Sequence, residues 1–364
     1  MDHPSRAEWA ALRDGGLPPK RERELLARIA ALLARSWQLR HESPREMVRL
    51  ARSAARASLK LSARVHGPRV YDHQAEAHAE LGNAYRVANR PQEAEKALER
   101  ARELFEQGTR PPLLEVRLLE LEASLLADLG EFSPASHKLL KVLQFYDERR
   151  DLHRLGRTLV LIGLYTGYAG NLELGIRRLQ ESLELIDAES DPALACAAAH
   201  NLILFLVDSD RIAEARKLRL VHARHLAHPG GRINQIKFRA LEGRIDAGLG
   251  RYARAEAIFR EVIEGLDEAG LPILAGIDRL NLAVVLLRQG KAKEAAGVVL
   301  AAAKVFIANR IRREALQAII LLRDSFQMGT GTLGMVLEVA AFLRRLEIDP
   351  TLRFEARAWD PPED

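Results

Sequence analysis

Small residues that allow helices to pack closely recur every 40 positions along this chain. In five consecutive units a glycine or turn residue is followed five positions later by a small residue: Gly130/Ala135, Gly170/Gly175, Asp210/Ala215, Gly250/Ala255 and Gly290/Ala295. Apolar residues lie three or four positions apart around each pair, which is the spacing of one helix face. The pattern therefore predicts a stack of helical hairpins in which each repeat buries its apolar face against its neighbours.

The offsets within the repeats resemble those of a known repeat family. They read Leu81-Gly82-x2-Tyr85 and Ala94-x3-Leu98-x2-Ala101 in one unit, and Leu159-x2-Ile162-Gly163 and Gly175-x3-Leu179-x2-Ser182 in another. This pattern resembles the tetratricopeptide repeat (TPR), with its Leu-Gly-x2-Tyr and Ala-x3-Phe signature. Gly243, Ala255 and Phe259 fit the signature again, and the resemblance covers about residues 28 to 310.

Two departures from the TPR signature leave an alternative open. No repeat keeps the signature tryptophan, and the period of 40 residues is longer than the usual value of about 34. HEAT and armadillo repeats have periods of roughly 40 to 47 residues, so the period alone does not separate the families. The Gly-x2-Tyr and Ala-x3-Leu offsets favour the TPR.

The repeat pattern predicts an all-α fold, a right-handed superhelical solenoid of about seven TPR-like hairpins with C-terminal capping helices. We expect a flexible leader over 1–20 and a degenerate, basic first hairpin over 21–70, with Ser43 and Pro44 opening its second helix. Six clearer repeats are expected over 71–310, capping helices over 311–348 and a mobile tail over 349–364.

Composition supports a helical core. Hydrophobic residues make up 48% of the chain and aromatic residues only 5%, as expected for helices packed through Leu, Ala, Ile and Val. No apolar run approaches the roughly 18 residues of a membrane span, and the N-terminal residues lack the apolar core of a signal peptide, so we expect a cytoplasmic protein. The single cysteine, Cys196, fits a reducing compartment, and its alanine neighbours predict a packing role.

The basic excess is concentrated at one end of the chain. The net charge is +5, but residues 1–70 hold 15 Lys and Arg against 7 Asp and Glu. Five basic residues follow helical spacing and predict a stripe along one helix: Arg45, Arg49, Arg52, Arg56 and Lys60. Such a stripe could contact nucleic-acid phosphates or an acidic partner, although a simple solvated face explains it equally without any ligand.

Motifs that would carry enzymatic chemistry are weak. The glycine-rich segment Gly329–Gly334 has no following Lys-Ser/Thr and no preceding strand, so it predicts a turn that ends a helix rather than a phosphate loop. His222, His225 and His228 lack an acidic or cysteine ligand at a supporting offset, and helix capping accounts for them. We therefore expect no catalytic residues, no metal site, no cofactor and no enzymatic activity.

The TPR resemblance implies where a ligand would bind. In a TPR stack the first helix of each hairpin lines the concave groove, and the groove positions of this chain are Asn83, Arg86, Arg117, Glu120, Arg157, Tyr168, His200, Asn201, Lys237, Arg244 and Asn281. Asn201 and Asn281 share one repeat position, and an amide that both donates and accepts suits the backbone of an extended peptide. The alternative is that these amides only bond to a neighbouring helix.

The resemblance extends to bacterial regulatory TPR proteins, including sensors of short peptides. It implies a scaffold or sensor that binds a protein or extended peptide, and the arginines favour an acidic ligand. Residues 1–70 show no convincing helix-turn-helix, so any output would pass through a partner protein. Trp359, in the acidic tail, could anchor in a partner, plug this chain's own groove or pack against the last helix.

Overall fold

The computed structural model describes residues 19–40, 42–227, 231–308 and 313–348, and these ranges contain eighteen α-helices and no β-strand. The chain divides into two compact units, Met1–Arg149 and Arg150–Asp364. The expectation of an all-α chain of repeated helical hairpins is confirmed. None of the helices in these ranges combines the length and hydropathy needed to cross a membrane.

The first unit consists of antiparallel hairpins. Its helices are α1 (Pro19–Gln38), α2 (Pro44–Ser58), α3 (Ala63–His66), α4 (Arg69–Val87), α5 (Pro91–Gln107), α6 (Pro112–Asp128) and α7 (Phe132–Glu148). The pairs α1 with α2, α4 with α5 and α6 with α7 pack together, and α4 also packs on α2. Proline at the first position opens α2, α5 and α6, where its missing N–H has no helical partner to lose.

The second unit continues the pattern. Its helices are α8 (Leu152–Tyr168), α9 (Leu172–Leu185), α10 (Pro192–Asp208), α11 (Ile212–Val221), α12 (Ala223–Leu226), α13 (Arg232–Gly248), α14 (Tyr252–Glu268), α15 (Pro272–Arg288), α16 (Ala292–Ala308), α17 (Arg313–Gln327) and α18 (Leu333–Ile348). From the last hairpin of the first unit onward, the first helices of the hairpins begin at residues 112, 152, 192, 232 and 272. Their second helices begin at residues 132, 172, 212, 252 and 292. The helix starts therefore keep the 40-residue register of the sequence.

The recurring small residues lie where the two helices of a hairpin approach each other. Ala135, Ala215, Ala255 and Ala295 are each 0% exposed, and Gly175 is buried at the same repeat position. A larger side chain there would have to displace the facing helix, because protein interiors are close-packed. The sequence pattern thus reports the packing that holds each hairpin together.

The turn between the two helices of each repeat has a left-handed residue at one position. φ is +83° at Gly130, +100° at Gly170, +74° at Gly250 and +75° at Gly290, whereas the non-glycine Asp210 has φ +59°. The next residue donates its N–H back across the turn, as Lys291 does to the Leu286 carbonyl at 2.9 Å. This is the Schellman end of a helix, which favours glycine.

Replacing Asp210 with glycine is expected to stabilise the protein by roughly 0.5–1 kcal/mol, because it relieves the left-handed strain at a residue with a Cβ. Thermal unfolding of the variant measures the gain as a higher midpoint. Ser209 has φ −92° in the same turn, so Ser209→Gly is the matched control and should give no gain. Equal gains in both variants would contradict the strain at Asp210.

The C-terminal helices cover the apolar end of the second unit. Val336, Val339 and Leu343 of α18 join one buried cluster with Leu282 and Leu286 of α15, and α17 packs on α16. Between α17 and α18, Gly329 has φ +78°. The glycine-rich segment is therefore a turn that ends α17, as expected.

Three features differ from, or lie outside, the expectations. Helix α1 begins at Pro19, inside the segment expected to be a leader. The second helix of the repeat that starts at Pro192 is interrupted at His222, between α11 and α12. Residues 1–18, His228 and the tail from 349 with Trp359 lie outside the described residues.

Candidate functional site

In the first unit, polar side chains connect the first helices α4 and α6. Arg117 Nε donates to Glu80 Oε1 at 2.7 Å, and Arg117 Nη1 lies 3.6 Å from Glu120 Oε2. Asn83 is buried, and its Oδ1 accepts from Arg86 Nη2 at 3.0 Å. Burial lowers the pKa of Arg117, but Glu80 and Glu120 together raise it above its ordinary value. We call these five residues the first-unit face; Arg117 is paired with Glu80 and Glu120 inside the face, and Arg86 is paired with Asp128 outside it.

An aromatic side chain from α1 lies beside the first-unit face. The guanidinium carbon of Arg117 lies 5.7 Å from the ring centroid of Trp37, and that of Arg40 lies 4.4 Å from it. Both distances allow cation–π attraction. Trp37 remains 39% exposed, so it presents an apolar surface next to the charges. Sequence reasoning did not place Trp37 here, because α1 lies outside the regular repeats.

In the second unit, we define the second-unit face by eight residues on four helices: His200, Asn201 and Asp208 of α10, Lys237 and Arg244 of α13, Asp278 and Asn281 of α15, and Arg344 of α18. Arg244 Nη2 lies 2.5 Å from Asp208 Oδ1. Asn281 Nδ2 donates to Asp278 Oδ1 at 2.9 Å, and Asn281 Oδ1 accepts from Arg344 Nη1 at 2.9 Å. The face therefore links first helices of successive repeats and the last helix.

Arg344 is a strongly perturbed base of this face. Burial and the nearby Arg244 lower the pKa of Arg344 to about 10, while Asp208 and Asp278 act in the opposite direction. An arginine at this pKa is still charged at neutral pH. The face thus carries two guanidiniums, the Lys237 ammonium and two carboxylates, and the Asn281 amide links Arg344 to Asp278.

His200 has a different environment from the other predicted groove residues. Its ring is stacked on Phe238 of α13 with centroids 4.3 Å apart and planes at 25°. Burial lowers the pKa of His200 to about 4, and Lys237 and Arg244 contribute to the shift. Its Nδ1 is buried and has no hydrogen-bond partner among the described residues. His200 is therefore a neutral imidazole at physiological pH.

The remaining predicted groove residues of this unit are spread along the first helices. Asn201 Nδ2 donates to its own helix, to Ala197 O at 2.8 Å. Tyr168 packs edge-on against Phe205, with centroids 5.5 Å apart. Arg157 and Lys237 are exposed. Among the described atoms, Asn201 keeps its Oδ1 and a second amide hydrogen available, whereas the Asn281 amide is already bonded on both sides.

Only part of the predicted basic stripe lies exposed along one helix. Arg45, Arg49 and Arg56 are exposed on α2, and Arg49 Nε bonds to Glu46 Oε2 at 2.8 Å. Arg52 instead turns inward and donates to the Tyr85 hydroxyl at 3.0 Å. Lys60 lies beyond Ser58, the last residue of α2. The helix therefore presents three exposed arginines rather than five aligned basic residues.

The described residues contain no group of three or more His, Cys, Asp and Glu side chains placed to hold a metal ion. His222 and His225 lie with ring centroids 5.7 Å apart beside the break between α11 and α12. Cys196 is buried, and burial raises the pKa of its thiol. A buried thiol with a raised pKa is a poor nucleophile, in agreement with the packing role predicted for it.

Three solved structures share this architecture. A Rap protein complexed with Competence and Sporulation Factor aligns with a TM-score of 0.63 at 11% sequence identity, over 89% of this chain and 88% of that chain. The apo form of RapI gives 0.56 at 14% identity, over 76% and 97%. Aspartyl phosphate phosphatase F from Bacillus subtilis gives 0.57 at 14% identity, over 78% and 71%.

No family model and no curated protein sequence matches the chain. At 11% to 14% identity the structural matches establish the fold, and fold alone does not establish function. The chain therefore has an all-α helical-repeat fold that is similar to the fold of these Rap structures.

Proposed function

We propose that this chain is a regulatory scaffold or sensor that binds a protein or an extended peptide, and that the second-unit face is its binding surface. The observation that carries the proposal is the pair Asn201 and Asn281, which hold the same repeat position on α10 and α15. The fold supports it, since a Rap protein of the same architecture was solved complexed with Competence and Sporulation Factor.

The chemistry of the face suits a peptide backbone more than a highly charged ligand. Asn201 has a carbonyl oxygen and an N–H that can pair with a main-chain amide. Lys237 is exposed and can meet an acidic side chain or a terminal carboxylate. Arg244 and Arg344 have carboxylates near them, so they add little net positive charge. We therefore expect moderate rather than exclusive preference for acidic peptides.

Binding at Asn281 would involve the last helix. Arg344 of α18 bonds the Asn281 carbonyl oxygen, and Asp278 bonds its amide nitrogen. A peptide N–H that takes the place of Arg344 at the Asn281 carbonyl oxygen exchanges the bond to α18. Such an exchange releases Arg344. The contacts of α18 then differ between the ligand-bound and ligand-free states, so that ligand binding affects this helix.

Tagged purification from the native host, with and without nuclease, tests the class of partner. We expect a stoichiometric protein or peptide that survives nuclease. Recovery of nucleic acid alone, lost at high salt, would contradict the proposal and support the alternative, in which the exposed arginines of α2 bind phosphates.

The double variant Asn201→Ala/Asn281→Ala is expected to weaken partner binding at least tenfold, because it removes two amides that pair with a backbone. Titration of the recovered partner measures the loss, and circular dichroism checks that helix content is unchanged. Gln289, the residue after α15, bonds Glu256 outside the second-unit face, so Gln289→Ala is the matched control. Normal affinity in the double variant would show that the two asparagines do not hold the ligand.

A further inference from the structure

At one position of the repeat, a residue that is apolar in the sister repeats is charged in one of them. The residue four after the recurring small residue is Leu139, Leu179, Phe259 or Val299 in four units, and each of these is at most 1% exposed. In the unit that starts at Pro192 the same position is Arg219. A charged side chain, 40% exposed, thus stands where the sister repeats place a fully buried apolar residue.

The partner of Arg219 also replaces an apolar core residue. Glu242 of α13 forms ion pairs with Arg219 and with Arg239, the latter at 2.6 Å. The equivalent first-helix positions of the second unit are Ile162, Leu202 and Leu282, which are all buried, whereas the equivalent position of the first unit is Glu122, which pairs with Arg102 and Lys138. Well-packed apolar residues generally stabilise such a site as well as an ion pair does. The pair therefore calls for a reason other than stability.

A cavity of about 360 Å³ lies at this place. Apolar atoms of Phe238 and Leu241 line it together with Arg219, Arg239 and Glu242. His200, whose Nδ1 has no hydrogen-bond partner among the described residues, also lines it. The volume falls within the range of small-molecule sites, roughly 300–1,000 Å³, which combine an apolar wall with a few convergent polar groups.

We propose that this cavity is a binding site for a small organic monocarboxylate with an apolar body. Of the charged residues that line the cavity, two are arginines and one is a glutamate, which leaves room for one further negative charge. A guanidinium has five N–H donors and binds a carboxylate through two of them. The stacked rings of His200 and Phe238 supply a flat apolar wall.

The electrostatics of Arg219 agree with this assignment. Burial lowers the pKa of Arg219, and Arg254 and Arg239 lower it further against the opposing effect of Asp246. Arg254 and Arg239 thus repel this guanidinium even though Glu242 pairs with it, and a bound carboxylate would offset that repulsion. Outside the cavity lining, Glu261 on α14 lies 3.0 Å from Arg239 and shares in neutralising that arginine, which leaves Arg219 as the main anchor.

Calorimetric titration with benzoate and 3-phenylpropionate, each compared with its uncharged amide, tests the site. We expect saturable binding of at least one carboxylate, at least tenfold tighter than binding of the matching amide. The same carboxylate should raise the unfolding midpoint, because a ligand that binds only the folded state stabilises it. The proposal is overturned if neither carboxylate binds with a dissociation constant below about 1 mM, or if the amides bind equally well.

Two variants test whether the carboxylate binds in this cavity. Arg219→Leu/Glu242→Leu reproduces the apolar pair of the sister repeats, so it should fold and lose at least tenfold in carboxylate affinity. Arg216 is exposed on the same helix and does not line the cavity, so Arg216→Ala should bind normally. If the double variant fails to fold, Arg219→Met removes the charge alone and serves in its place. Unchanged affinity in the folded variant would exclude the cavity as the site.

Discussion

Replacing Gly175 with valine is expected to lower the free energy of unfolding by about 3 kcal/mol, the upper part of the usual range for overpacked cores. A Cβ at this position of α9 would lie 2.9 Å from the Gly163 carbonyl oxygen and 3.1 Å from the Gly167 Cα. These atoms are backbone of α8, so no side chain can rotate away to make room. The close contact of α8 with α9 therefore depends on Gly175.

Chemical or thermal unfolding measures this loss, and a second glycine supplies the control. Gly297 lies in α16, and a Cβ added there would meet nothing within 4 Å. Gly297→Ala should therefore stabilise the protein by roughly 0.5–1 kcal/mol, since alanine restricts the unfolded chain and favours the helix. Destabilisation of similar size in both variants would contradict the account, because the crossing of α8 and α9 could not be its cause.

The protein is expected to lose up to about 3 kcal/mol of stability through His200 between pH 6.5 and pH 4. The pKa of His200 falls from 6.5 to about 4 in the folded state, chiefly by burial and further through Lys237 and Arg244. A lowered histidine pKa means that the unfolded state binds a proton first. The contribution is therefore fully present above pH 6.5 and is lost as the pH falls towards 4.

The variant His200→Phe isolates this contribution, because phenylalanine can keep the stacking on Phe238 but cannot take up a proton. Its unfolding midpoint should depend less on pH than that of the wild type between pH 6.5 and 4. His73, His78 and His222 also have lowered pKa values, so some acid sensitivity should remain. His137 is exposed, and His137→Gln is the control. Identical pH profiles for His200→Phe and wild type would contradict the low pKa.

The repeat architecture could be predicted from sequence because two physical requirements leave marks at fixed spacing. A left-handed turn residue recurs from Gly130 to Gly290, and a small residue follows it where helices cross. Both requirements are local, so they can be read without knowing the fold. The same register places Asn201 and Asn281 at equivalent positions of α10 and α15.

The partners of these residues could not be predicted in the same way. Arg344 lies 63 residues from Asn281, beyond the repeats, so no periodicity connects the two. Trp37 approaches Arg117 from α1, which lies outside the regular hairpins. Arg219 is visible as an exception when the repeats are aligned, but its pairing with Glu242 and the cavity beside it follow only from the packing of α11 and α12 against α13.

The ion pairs of the arginines could not be predicted from the sequence either. Sequence spacing suggested a positively lined groove and a basic stripe, whereas Arg86, Arg117 and Arg244 are each paired with a carboxylate. Arg52 is bonded to Tyr85. Arginine side chains are long enough to pair with residues of neighbouring helices. The sequence pattern alone does not show which residue is the partner.

The most direct test of the account is the affinity of the purified partner for three proteins at two salt concentrations. The proteins are the wild type, Asn201→Ala/Asn281→Ala and Arg45→Ala/Arg56→Ala. We expect the asparagine variant to lose at least tenfold in affinity, the arginine variant to bind normally, and salt to have a shallow effect. Binding that survives loss of the asparagines, depends on the arginines and falls steeply with salt would contradict peptide binding at the second-unit face.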